Sequence, residues 1–160
     1  MPKHETFMVS DSYETMSLSL EKPGKAQAQA GSMLSEERAM DRPLVVVLED
    51  DFVNAWGLSL VLQDWGYRTV IGDSVKPVFE KLEGEGMTPQ AAVCDFHLAD
   101  GENGVAAAAK LQERFGEEVS VVIMTGSGGS TARHQARRFS FPVLSKPVDP
   151  DMLLAYLPTS

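Results

Sequence analysis

One cysteine, Cys94, stands alone among 160 residues, so an internal disulfide and a multi-cysteine zinc site are both excluded. Long apolar runs are missing as well. No stretch approaches the roughly 18 residues of a membrane span, and Met1 to Gly31 carries no apolar signal-peptide block. Basic residues are the minority: 14 Lys and Arg face 23 Asp and Glu, for a net charge of −9. Nucleic-acid-binding modules usually carry net positive charge, so that class is disfavoured, although a local basic contact is not. The three histidines, His4, His97 and His134, are too widely spaced for a zinc pattern. What remains is the profile of an acidic, soluble, cytoplasmic chain. Its 43% apolar residues suffice for a core, and its length predicts one domain.

Composition changes near Pro43. Residues 1–42 are rich in Ser, Thr, Glu, Lys, Gln and Gly, and Glu21–Ser32 reads as a linker. They are expected to form a flexible extension, with a helical turn or two over Leu34–Met40. Residues 43–160 are expected to form the folded domain. From Leu44 onward short apolar runs alternate with helix-like segments. Strands are predicted at Leu44–Leu48, Tyr67–Ile71, Ala91–Cys94, Val119–Met124 and Pro142–Leu144. The first helix spans Phe52–Trp65, with Val53, Trp56, Leu60 and Val61 on one stripe and Gly66 as its cap. A second runs to Leu82 from a cap at Asp73 or Ser74, with Pro77 in its first turn. A third covers Gly104–Phe115, closed by Gly116, and a fourth Ser130–Phe139. The fifth runs from the Asp149-Pro150 cap to Leu157. Five βα units at this spacing imply a parallel sheet with helices on both faces. Ligands of such sheets bind at the carboxyl ends of the strands.

Those ends carry chemistry. Strand one ends in Glu49-Asp50-Asp51, strand three in Asp95, strand four in Thr125, and Lys146-Pro147 follows strand five. Carboxylates gathered on one rim repel by several kcal/mol at low effective dielectric and call for a cation. Hard oxygen ligands in small number suit Mg²⁺. Asp95 is the candidate nucleophile, able to form an acyl phosphate. Lys146 and the Thr125 hydroxyl would meet phosphoryl oxygens. Asp51 reads as the cap of the first helix rather than a ligand.

The ordered set Glu49-Asp50, Asp95, Thr125 and Lys146-Pro147 resembles the receiver domain of two-component response regulators, over roughly Pro43–Leu157. The stretch from Asp95 to Gly104 is similar to receivers that act beside hybrid histidine kinases. The resemblance implies a flavodoxin-like (βα)5 fold, a doubly wound five-stranded parallel sheet of order 2-1-3-4-5. It implies Asp95 as phosphoacceptor, with Mg²⁺ held by Glu49, Asp50, Asp95 and the backbone carbonyl of His97. It also implies Thr125 and Lys146 on the phosphoryl group and a cis Lys-Pro peptide. The phosphodonor would be a histidine kinase or a histidine phosphotransfer protein, docking near the first helix; Trp56 and Trp65 read as core or as surface of that helix, and an exposed Trp there would contact the donor. The output would be a downstream protein target rather than nucleic acid or membrane. A homodimer through helix four, strand five and helix five is a further option. The chain would be a stand-alone signalling switch with self-catalysed phosphoryl transfer and hydrolysis, not a metabolic enzyme.

Two departures from the family pattern stand out. Val143 occupies the place of an aromatic residue that usually turns inward on phosphorylation, so coupling would run through Phe139 or Phe141. Met124 to Gly129 is glycine-rich, which predicts a mobile loop and a short fourth helix. Arg133, His134, Arg137 and Arg138 form a basic stripe, read either as a solvated face or as a docking surface. Cys94 reads as a buried structural thiol. The competing reading is a degenerate receiver that binds partners without phosphorylation. A haloacid-dehalogenase-type phosphatase fits less well, because Phe52 and His97 stand two residues after Asp50 and Asp95, where that family needs a second aspartate. A dinucleotide-binding domain is disfavoured by a first βα turn that is acidic and lacks glycine.

Overall fold

The computed structural model describes residues 41–126 and 129–159. The expected N-terminal extension, with its linker and helical turns, lies outside the described residues except for Asp41 and Arg42. His4, and Ser127 and Gly128 of the glycine-rich loop, also lie outside them.

Five strands form one all-parallel sheet of order β2-β1-β3-β4-β5. They are β1 (Leu44–Leu48), β2 (Arg68–Gly72), β3 (Ala91–Asp95), β4 (Ser120–Thr125) and β5 (Val143–Ser145). Between and after them run α1 (Phe52–Asp64), α2 (Val75–Gly84), α3 (Gly104–Phe115), α4 (Gly129–Ala136) and α5 (Pro150–Leu154). The flavodoxin-like order expected from the resemblance is the order observed.

β1 is buried along its whole length, as a strand covered on both faces must be. Successive side chains alternate between the faces. Val46 and Leu48 point into one apolar layer with Val78 and Leu82 of α2, Val105 and Leu111 of α3, and Ala132 and Ala136 of α4. Val45 and Val47 point into the other, with Ala55 and Leu62 of α1 and Leu153 of α5. Two layers of helix thus sandwich the sheet. The chain leaves β1 toward β2 on one side and then crosses to β3 on the other. That reversal opens a crevice at the carboxyl ends of β1 and β3.

Element ends follow local chemistry. The Asp51 side chain accepts from Asn54 N at 2.9 Å and starts α1, so its expected capping role is met. Gly66 follows α1 at φ 92°, a left-handed position that glycine takes without strain. Asp149 caps α5 through the Asp151 and Met152 amides, with Pro150 first in the helix.

Several boundaries differ from the sequence reading. β2, β4 and β5 each begin one residue later than expected. α4 ends at Ala136 and passes into a 3-10 turn over Arg137–Phe139. α5 stops at Leu154, although Leu157 is still buried.

The larger correction concerns α1. Its apolar stripe is not its buried face. Val53, Leu60 and Val61 are exposed, Val53 by 75%, and Trp56 is half-buried. The inward face carries Ala55, Ser59, Leu62 and Gln63. Two polar residues tolerate burial there because they satisfy each other. Gln63 Nε2 donates to Ser59 Oγ and to Thr69 Oγ1 at 2.9 Å, and the two hydroxyls pair at 2.7 Å.

Candidate functional site

Four loops meet at the crevice. Glu49 and Asp50 follow β1, Asp95 closes β3, Thr125 closes β4, and Lys146 follows β5. The register of the parallel strands brings them together: Leu48 pairs with Cys94, Asp95 with Met124, and Thr125 with Ser145. The candidate carboxylates therefore converge. One oxygen each of Glu49, Asp50 and Asp95 lies within 4.8 Å of the others.

Their environments differ. Glu49 is buried, Asp95 nearly so, and Asp50 faces solvent. Lys146 reaches in from the far side of the sheet. Its ammonium donates to Glu49 Oε2 at 2.6 Å and to Asp95 Oδ2 at 2.7 Å. The peptide joining Lys146 to Pro147 is cis, as expected. The Asp51 amide donates to Glu49 Oε1, and the His97 amide to Asp95 Oδ1, each at 3.3 Å. The imidazole of His97 is exposed and stands edge-on to Phe96.

Burial pushes the Glu49 carboxyl above the ordinary range, and the hydrogen bond and charge of Lys146 offset only part of this. Burial also works against the Lys146 ammonium, but its bonds to Asp95 and Glu49 outweigh that and raise its pKa. Two of the three carboxylates thus share one ammonium, and the pocket stays net negative. Thr125 Oγ1, at the carboxyl end of β4, is buried with no hydrogen-bond partner, and the Thr125 carbonyl accepts from the Lys146 amide at 2.7 Å. A hard divalent cation fits the carboxylate trio, and an oxyanion fits the free hydroxyl beside the lysine.

Backbone packing holds Asp95 in place. A Cβ on Gly104 would stand 1.8 Å from the Asp95 carbonyl oxygen, so only glycine allows α3 to start against β3. Asn103 caps α3 and also donates to Gln135 Oε1 of α4 at 2.5 Å. Glu102 accepts from the first amide of α2 and pairs with Lys110. Neither bridge was anticipated from the sequence. The only local signal was the Asn-Gly pair ahead of an alanine-rich run.

Residues 45–158 match the family model described as the response regulator receiver domain. The chain belongs to the response regulator receiver family. No curated protein matches this receiver. Solved structures do. The signal receiver domain of a modulated diguanylate cyclase from Desulfovibrio desulfuricans G20 is 25% identical, with a TM-score of 0.61 over 72% of this chain and 90% of that one. A response regulator receiver protein from Pseudomonas putida shares the fold at 23% identity and TM-score 0.61, over 72% and 94% of the two chains. A response regulator from Burkholderia pseudomallei, solved with a phosphorylated aspartic acid, a calcium ion and citrate, is 25% identical at TM-score 0.61, over 74% and 68%.

Two other expectations concern places outside the crevice. Cys94 is fully buried, and its burial, with the charges of Glu102 and Asp95, pushes the thiol far above its ordinary value. Val143 is half-buried on β5, and no aromatic side chain takes its place there. Phe141 is buried nearby, stacked at 5.2 Å on the exposed Phe139. No helix among the described residues is long and apolar enough to cross a membrane.

Proposed function

We propose that this receiver takes a phosphoryl group from a phosphohistidine donor onto Asp95 and signals by binding a downstream protein. The donor would be a histidine kinase or a histidine phosphotransfer protein, and the setting a reducing cytoplasm. The observation that carries this reading is the joint geometry of the crevice. A nearly buried Asp95 shares Lys146 with Glu49, and Thr125, whose buried hydroxyl has no partner, ends the neighbouring strand. Glu49, Asp50 and Asp95 would hold Mg²⁺ with the backbone carbonyl of His97. That ion supplies charge neutralisation to an incoming phosphoryl group. The phosphorylated aspartic acid and calcium ion of the Burkholderia relative support both the acceptor and a divalent cation in such a site.

The chain's own residues divide the work. Asp95 presents a carboxylate oxygen to phosphorus, and the bond from phosphorus to the donor nitrogen breaks as the new P–O bond forms. The His97 amide and the Lys146 ammonium orient that carboxylate. Lys146 can then turn from Asp95 to a phosphoryl oxygen, while Thr125 donates its hydroxyl to another. The exposed apolar side of α1, where Phe52 and Trp56 stack at 6.3 Å, would seat the donor protein. The domain acts as a switch with self-catalysed transfer and hydrolysis rather than as a metabolic enzyme.

A degenerate, phosphorylation-independent receiver would have no need of a buried orphan hydroxyl beside an acidic trio. Intact-mass analysis after mixing with candidate kinases and ATP tests the choice. One phosphoryl adduct on the native chain and none on Asp95→Asn is the expected result. Labelling of the Asp95→Asn protein would move the acceptor elsewhere.

A further inference from the structure

The end of the sheet opposite the crevice carries a cleft of its own. The parallel strands start there, and two backbone hydrogen bonds tie their starts together. The Arg68 amide donates to the Pro43 carbonyl and the Gln90 amide to that of Leu44, each at 2.9 Å. The turn after α2, with Gly86 left-handed at φ 63°, forms the other wall. The cleft measures about 760 Å³ and is bordered by Arg42, Pro43, Leu44, Arg68, Glu85 and Met87. Pro43 and Met87 are half-buried and supply apolar surface. The two arginines supply positive charge, and Arg68 Nη2 donates to Met87 Sδ at 3.3 Å. Against them stand Asp41 and Glu85, and Glu85 is engaged by Lys81. The chain itself enters the domain at this cleft. Residues 1–40 precede Asp41, and the backbone turns at Asp41 and bends at Arg42 before β1 begins.

We propose that residues 33–40 of the same chain fold back into this cleft. The segment reads Met-Leu-Ser-Glu-Glu-Arg-Ala-Met. Two turns of helix would put Met33, Leu34, Glu37 and Met40 on one side. That side joins three apolar groups to a carboxylate, as the cleft joins Pro43 and Met87 to Arg68. The length fits as well, since eight helical residues span about 12 Å. Connectivity selects this occupant over a separate partner. Met40 is bonded directly to Asp41 at the lip of the cleft, so the effective concentration of the segment is on the order of millimolar. A contact too weak to hold a free peptide therefore suffices. Docking would anchor the extension at the end of the sheet farthest from Asp95, so it stands independently of the phosphoryl chemistry.

The test is hydrogen exchange, read by mass spectrometry on the unphosphorylated full chain. Eight residues are too few to hold a helix alone in water, so protection of their amides requires packing. Residues 33–40 are expected to exchange at least about tenfold more slowly than an unstructured chain of the same sequence. Met33→Ser together with Leu34→Ser removes two of the apolar anchors and should abolish that protection. Arg68→Glu should reduce it about tenfold, and Glu37→Arg added to Arg68→Glu should restore it. Circular dichroism verifies that each variant is folded. Exchange of residues 33–40 at the unstructured rate in the native chain would overturn the proposal. So would protection that survives the Met33 and Leu34 substitutions or Arg68→Glu, or that the reversed charge pair fails to restore. Protection that disappears on dilution would overturn docking within one chain and assign the cleft to the extension of a second copy.

Discussion

Thr125 carries a cost that the fold alone does not require. Its hydroxyl is buried without a partner, and such a group costs about 1–3 kcal/mol relative to a satisfied one. Thr125→Val keeps the shape and removes the unsatisfied atom. The variant is expected to be more stable than the native chain by about 1 kcal/mol in urea unfolding, yet slower to accept phosphate. Lower stability would mean that the hydroxyl is satisfied in solution. Cys94 gives a second prediction, through pH. Its folded pKa is raised, whereas in the unfolded chain the thiol titrates near its ordinary 9.0. Above that pH the unfolded chain loses a proton that the folded chain keeps. Stability is therefore complete below pH 9 and falls by about 1.4 kcal/mol per pH unit above it. Cys94→Ala costs stability at neutral pH through the space it leaves. That penalty should shrink by about 1.4 kcal/mol between pH 8 and pH 10. The native thiol should also resist alkylation until the protein unfolds.

α1 is the element on which sequence and structure disagree most, and the reason is physical. Val53, Trp56, Leu60 and Val61 have the spacing of a packed stripe, but the helix turns that side outward. Ser59 and Gln63, four residues apart, turn inward because Thr69 of β2 completes their hydrogen bonds. Hydrophobic periodicity cannot register a polar pair whose third member arrives from another strand. The five strands were legible because each is a short Val- or Ala-rich run bounded by turn residues. The convergence of Glu49, Asp50, Asp95, Thr125 and Lys146 was legible because a parallel sheet puts all its strand ends on one rim. The Asn103–Gln135 and Glu102–Val75 bridges were not, since they tie the turn before α3 to helices distant in sequence. The outward stripe on α1 has a testable consequence. Val53→Glu adds a charge in the first helical turn, where the helix dipole favours it. It should change stability by less than about 0.5 kcal/mol. It should slow phosphotransfer from a protein donor at least tenfold while leaving labelling by acetyl phosphate unchanged. Equal slowing with both donors would place the effect at the crevice rather than at docking.

For the molecule as a whole, the proposed metal site at the acidic trio would couple folding to metal binding. Three carboxylates around one ammonium repel until a divalent ion joins them, so Mg²⁺ should raise the thermal midpoint. At about a hundredfold excess over its dissociation constant the gain is about 2.7 kcal/mol. A chelator should reverse the shift, and Asp50→Asn, at an exposed position, should fold normally but respond only weakly. A midpoint insensitive to Mg²⁺ would remove the metal from the site.

The sheet has a consequence of another kind. Its two borders are β2, five residues long and opening with Arg68, and β5, only three residues long. Little unpaired backbone is thus offered to a neighbour. Even at high protein concentration, growth into fibrils by strand addition gains little foothold on this fold.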